Sequence, residues 1–489
     1  MRPAIPARVT SPVERPALGR ETVSQPVSAA HAWFEFRSNP SRTPLVLRGA
    51  DHQPPHLPMN LTRRDWLKYT GGAALAASLP RSFAAPADFS APREVHPLIR
   101  DAEQPMFDLP GQFKAPVKIE SVEMLQNGAN FFVRTRSTDG AVGITGTKQV
   151  EDFLPIFQHL VAPRFIGQDA RELESLIDLV YRENYKLASI PLWCCIAYVE
   201  QSLLDLLGIV ARRPVGALLG GVIRTEIPVY LSGSDRVLSA EEEVAVYERG
   251  VPATGAKAVK FKIGGRMSRN LDTYPGRTET LLKRAREKLG DKIILRADAN
   301  GSYDVPNAIR IGHLLEELNY DFFEEPCPFE ELSETQAVAK ALRIPIAYGE
   351  QNYSLWQFDW ALRNGVMQIV QPDINYNGGL IRAKRVARLA DKLGRTIVPH
   401  NTQTGATSVN ILQFASCTSN ASSFMEYPWR APQKTPTWYQ PDFKIIDGKL
   451  RVPTTPGMGL EIDPDYLAKS TVICKVDQRR RAGGRASGS

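Results

Sequence analysis

From Thr225 onward, short apolar runs alternate with longer stretches in which apolar residues recur every three or four positions. That alternation predicts βα units and a parallel sheet. The apolar runs fall at 226–232, 258–264, 293–299, 321–326, 344–350, 367–374, 396–400 and 422–427. Eight such units at helix-sized intervals predict an α/β fold with a TIM-type (β/α) barrel over 223–430. Helices between the runs are legible at 277–290 and 381–394, each ending in a glycine suited to a C-terminal stop. A doubly wound open sheet is the alternative. It accounts less well for the polar residues at the C-terminal end of nearly every run. No dinucleotide or phosphate loop is present, since Gly264-Gly265 lacks the spacing.

Upstream the texture differs. Residues 117–125, 131–137 and 141–147 read as strands, with Asp139-Gly140 as a hairpin signal. From Val150 to Leu219 the period turns helical, most clearly at 170–184 and 193–211. These features predict a small α+β domain over 116–222 behind a Pro-rich lead-in at 85–115. Residues 1–58 are rich in Pro, Ser and Arg without periodicity, and read as disordered or as a mis-called extension. Arg63-Arg64, the Ala/Gly-rich run to Leu79 and Ser82-Phe83-Ala84 resemble a twin-arginine export signal over 59–84. The run is too short for a membrane span, so no stable membrane anchoring is expected. The expected location is periplasmic or exported, or cytoplasmic if the signal is not used.

Composition changes this picture little. Hydrophobic residues make up 43% and charged residues 23% of 489, as in ordinary soluble enzymes. The formal net charge of +7 belongs to the ends: 1–58, 59–84 and the basic, disordered tail 477–489 each carry about +3, and the body is slightly acidic. A nucleic-acid partner needs a clustered basic face, and none is legible. Five cysteines, odd in number and without a CxxC pair, exclude a disulfide scaffold or zinc site and read as buried thiols.

The chemistry lies at the ends of the apolar runs. Asp298, Glu324 and Glu350 close three successive runs. One acid at a strand end is usually a solvated carboxylate, but three in register converge on a point. Hard oxygen ligands without nearby His or Cys suit Mg²⁺. Lys260 and Lys262 lie two apart and share one strand face. Two adjacent cations are expected to depress each other's pKa, which helps Lys262 act as a base while Lys260 holds a substrate carboxylate. Asp373 and His400 end neighbouring runs, so the aspartate is expected to fix the imidazole's tautomer. The other six histidines lie in leader, lead-in or helical positions. Glu426, in the last run, is expected to donate a hydrogen bond to an oxyanion if neighbours keep it protonated. Together these residues describe removal of the proton next to a carboxylate. Lys262 and His400, on opposite sides of the barrel mouth, supply base and acid, and Mg²⁺ stabilises the enediolate.

The ordered set of Lys260-Phe261-Lys262, Asp298 with Asn300, Glu324-Glu325-Pro326, Gly349-Glu350 and Asp373/His400 resembles the enolase superfamily, in its mandelate racemase-like branch. The resemblance implies that the α+β domain caps the barrel and that 431–476 return to complete it. It also implies that Asn300 and Glu325 support the metal ligands, and that the protein forms a homo-oligomer. The muconate-lactonising branch is expected to carry a lysine at strand six, and Asp373-Ile374-Asn375 has none. Galactonate dehydratases carry a histidine on strand three where this chain has Asn300. The expected activity is dehydration of a sugar acid to a 2-keto-3-deoxy acid. A racemase or epimerase of a 2-hydroxy acid is the alternative, and a non-catalytic exported acid-binding protein the third. Substrate identity is expected to rest on the tip at 126–130 and on the loops after strands one and two.

Overall fold

The structure is a computed structural model that describes residues 96–478, apart from 149, 234–235 and 431–435. The export-signal reading, the N-terminal extension and the basic tail beyond 478 lie outside the described residues.

Three strands, β1 (Ile119–Asn127), β2 (Asn130–Ser137) and β3 (Val142–Thr147), form an antiparallel sheet. Gly140, at φ 93°, makes the second turn where the Asp-Gly signal places it. The first hairpin closes on only two residues, Gly128 and Ala129. Its tip is pinned rather than free: Asn127 Nδ2 donates to the Tyr466 carbonyl (2.7 Å), and Asn130 Nδ2 to the Tyr466 hydroxyl (2.8 Å). Helix α1 (Leu173–Glu183) packs against α2 (Ile190–Ala211), which backs the sheet. By length and composition α2 is apolar enough to cross a membrane, yet most of it is buried inside the protein. It is a core helix, as all-round hydrophobicity also allows. Truncating one of its buried leucines, such as Leu203, removes about 2–5 kcal/mol.

The lead-in is more than a linker. Pro97–Glu103 is helical with Ile99 and Ala102 buried, and Leu109 is buried after it. The Glu174 carboxylate accepts from the Met106 and Phe107 backbone N–H groups, stitching this segment to α1.

Eight parallel strands build the barrel: β4 (Glu226–Ser232), β5 (Ala258–Lys262), β6 (Ile294–Asp298), β7 (Phe323–Glu324), β8 (Ile346–Tyr348), β9 (Ile369–Val370), β10 (Thr396–Ile397) and β11 (Met425–Pro428). They pair in sequence order, and β11 pairs back with β4. A parallel bridge from Ile397 to Ala421 closes the ring between β10 and β11. From β5 to β10 the ladders are shorter than the apolar runs, and apart from Lys262, Asp298 and Glu324 the polar residues at the run ends lie just beyond the ladders. Among the described residues, seven barrel helices run from α3 (Ala240–Thr254) to α9 (Val409–Ser416). Polar stops place them: Ser239 and Glu242 form a capping box on α3, and Gly255 ends it at φ 70°.

The sequence pattern has eight βα units; the structure departs from it at the eighth. After β11 the chain forms β12 (Tyr439–Gln440), β13 (Lys449–Arg451), β14 (Glu461–Ile462) and β15 (Thr471–Asp477). β13 pairs antiparallel with β4, and β15 joins the cap sheet beside β1. The C-terminal segment thus completes the cap. All five cysteines are buried.

Candidate active site

Parallel register aligns the strand ends. Lys262 lies opposite Asp298, and Asp298 opposite Glu324, across three adjacent strands. Glu350 follows two residues after β8. One oxygen from each of Asp298, Glu324 and Glu350 lies within 4.8 Å of the others, and all three residues are buried. Glu350 Oε2 is buried without a hydrogen bond, and His400 Nε2 lies 3.2 Å from it as an ion pair. Buried oxygens rarely lack a hydrogen bond. A carboxylate oxygen without one among three converging acids fits a hard divalent cation, and Mg²⁺ above all.

The lysines lie on the shared face of β5. Lys262 Nζ is hydrogen-bonded to Asp298 Oδ2. Lys260 is fully buried, with Nζ 2.7 Å from Glu324 Oε2, 2.8 Å from Glu426 Oε1 and 3.6 Å from Asp298 Oδ2. Burial alone lowers an ammonium's pKa. Here Glu324 and Glu426 outweigh it and hold Lys260 well above its usual value. At Lys260 any mutual depression of the two cations is outweighed by these carboxylates. Burial and the nearby Asp298 push Glu324 up to about 8, against the pull of Lys260. These are the signs of a carboxylate cluster short of positive charge.

Glu426 also departs from expectation. Burial raises it, but Lys260 and His400 outweigh burial and hold its carboxyl well below the usual range. It accepts from the Ser232 hydroxyl (2.6 Å) and the Asn401 backbone N–H (3.0 Å). Glu426 thus reads as an anion in this site rather than the protonated donor expected, because the cations beside it favour its charged form.

His400 and Asp373 meet as expected, with Nδ1 2.9 Å from Oδ2. The other Asp373 oxygen accepts from the Asn375 and Tyr376 backbone N–H groups, at 2.8 and 3.0 Å. Burial opposes charge on the imidazole, but Glu350 and the Asp373 hydrogen bond raise it to about 9.

Asn300 and Glu325 stand behind the ligands. The Asn300 backbone N–H donates to Asp298 Oδ1 (2.8 Å), and its Nδ2 to Glu325 Oε2 (3.3 Å). Both adopt positive φ, 43° and 41°. For Glu325 that conformation costs on the order of 1 kcal/mol, a strain typical of functional loops.

Several contributors are absent from the sequence reading. Gln371 Nε2 donates to Glu324 Oε2 (3.0 Å), and Arg236 Nη2 to Asn300 Oδ1 (3.1 Å). Gln371 stands two residues before Asp373, so strand alternation signals it. Arg236 follows the first strand in a loop without periodicity and has no such signal. The arrangement is a divalent-metal site between a lysine and a histidine, able to stabilise the enediolate of a carboxylic acid.

Comparison with known proteins agrees with this geometry. Residues 106–220 match the family described as mandelate racemase/muconate lactonizing enzyme, N-terminal domain, and residues 242–466 match the enolase C-terminal domain-like family. The D-galactarolactone cycloisomerase of Agrobacterium fabrum is 30% identical over 325 residues, covering 62% of this chain and 81% of that protein. The arabinonate dehydratase of Saccharolobus solfataricus is 28% identical over 312 residues, covering 62% and 80%. The crystal structure of a mandelate racemase/muconate lactonizing protein from Paracoccus denitrificans, complexed with magnesium, superposes with a TM-score of 0.68 at 30% identity. That match covers 73% of this chain and 99% of that one.

Proposed function

The chain belongs to the mandelate racemase/muconate lactonizing enzyme family of the enolase superfamily, and from that membership we propose that it dehydrates a sugar acid to a 2-keto-3-deoxy acid. The observation that carries this reading is the placement of two proton carriers at opposite ends of the ligand set. Lys262 meets Asp298, and His400 meets Glu350.

Asp298, Glu324 and Glu350 would hold Mg²⁺, which when bound draws charge from the substrate carboxylate and lowers the cost of the enediolate. Lys262 takes the proton from the carbon next to the carboxylate. Lys260 keeps its positive charge beside Glu324 and Glu426, and so favours negative charge developing on the substrate. His400, as imidazolium, gives its proton to the hydroxyl on the following carbon, which leaves as water. The enol then becomes the 2-keto acid. Asp373 holds Nδ1, so Nε2 carries the proton that is delivered.

Relatives named for arabinonate and galactonate dehydration support the substrate class. The test is a panel of sugar acids incubated with Mg²⁺ in D₂O and followed by proton NMR. Dehydration gives a 2-keto product. Exchange at the α-carbon with every hydroxyl retained would overturn dehydration in favour of racemisation.

A further inference from the structure

We infer that Lys148, from the cap, forms a subsite for a second carboxylate at the end of the substrate remote from the metal, so that the preferred substrates are diacids. This rests on the proposed acid chemistry and adds to it a substrate class.

Lys148 directly follows β3 at the boundary of cap and barrel. Its ammonium is hydrogen-bonded to the Thr402 hydroxyl, two residues beyond His400. Two residues of chain span at most about 7 Å, so Lys148 reaches the same mouth as the His400 imidazole. Its backbone is fixed from both sides by one side chain. The Tyr198 hydroxyl accepts from the Lys148 N–H (2.8 Å) and lies 3.0 Å from the Lys148 carbonyl. Gln403 Nε2 donates to that hydroxyl (3.1 Å), and Asn375 Nδ2 to Gln403 Oε1 (3.3 Å). Buried links therefore tie Lys148 to the loops that carry His400 and Asp373. Such a lock sets position, which a solvated surface lysine does not require.

The charge has no dedicated partner among the described residues; its bond goes to a neutral hydroxyl. Burial pulls its pKa down, and the acids that oppose this are Asp373 and Glu350. Both are committed elsewhere, Asp373 to His400 and Glu350 to the ligand set. A cation at a mouth whose nearest acids are already engaged attracts an anion. With its first carboxylate at the metal, a substrate's far end is the group left to supply it.

The test uses the full chain with Mg²⁺ and matched pairs of hexarates and hexonates, such as galactarate with galactonate, identical except at the terminal carbon. The expected result is a higher kcat/KM for the diacid of each turned-over pair. Lys148→Met should lower kcat/KM for diacids roughly 10- to 100-fold more than for monoacids, mainly through KM. Lys148→Arg, which keeps the charge, should recover most of the diacid preference and shows that loss in the Met variant is not misfolding. Preference for monoacids, or equal losses on both members of a pair, would overturn the subsite while leaving proton abstraction intact. Absence of α-proton exchange with every acid would overturn the proton-abstraction reading itself, and the subsite with it.

Discussion

His400 and Asp373 sit beyond the ends of adjacent strands with Nδ1 2.9 Å from Oδ2, and the aspartate is anchored independently of any ligand by two backbone N–H groups. The imidazole therefore keeps one orientation whether or not substrate is present. Asp373→Asn presents an amide where a carboxylate now supports the charged ring. We expect kcat to fall about 100-fold or more, with KM little changed, in steady-state assays with the best acid of the panel. A change confined to KM would contradict the assigned role.

The carboxylate triad predicts a strict metal requirement. Treatment with EDTA should abolish turnover, and Mg²⁺ should restore it. Binding to the folded state alone should also raise stability, by about 2.7 kcal/mol at 100 times the Kd. The triple variant Asp298→Asn, Glu324→Gln, Glu350→Gln should lose that rise in differential scanning calorimetry, independently of activity.

Glu426 is one of the two close carboxylate partners of a fully buried ammonium, 2.8 Å from Lys260. Glu426→Gln leaves Lys260 with Glu324 at 2.7 Å and Asp298 at 3.6 Å. Removing one partner of a buried charge typically costs 3–5 kcal/mol, and the remaining glutamate places this case near the low end, about 3 kcal/mol. Denaturant unfolding checks it. A variant as stable as the parent would show that Lys260 draws little from Glu426.

Asp205, far from the metal, gives a pH signature. Burial pushes its carboxyl up to about 7, although the Ile144 and Met458 backbone N–H groups both donate to it. The native chain thus keeps a proton that the unfolded chain releases near pH 4. Stability contributed here is full below about pH 4 and falls as pH rises to about 7. Asp205→Asn should flatten this part of the pH dependence when unfolding is compared at pH 5 and pH 8. Parallel curves for parent and variant would contradict the shift.

The barrel and its ligands were legible because both follow strand alternation. Asp298, Glu324 and Glu350 fall at the ends of apolar runs, and parallel pairing then brings them together. Lys260 and Lys262 share a face for the same reason. Protonation states were not legible. Whether Glu426 is an acid or an anion depends on Lys260 and His400, which come from elsewhere in the barrel. Nor was the lead-in legible, since Ile99, Ala102 and Leu109 show too short an apolar period to stand out from a Pro-rich linker. Lys148 reaches the mouth through Tyr198 and Gln403, contacts between cap and barrel that local pattern does not encode.

The central claim is that Lys262 removes the α-proton and His400 separately protonates the leaving hydroxyl. The most direct test is proton NMR in D₂O with Mg²⁺, comparing the parent with His400→Asn and Lys262→Met on the best acid of the panel. The account predicts that His400→Asn still exchanges the α-proton for deuterium but forms no 2-keto product, whereas Lys262→Met does neither. Exchange that persists in Lys262→Met and is lost in His400→Asn would reverse the assignment of base and acid and contradict the account.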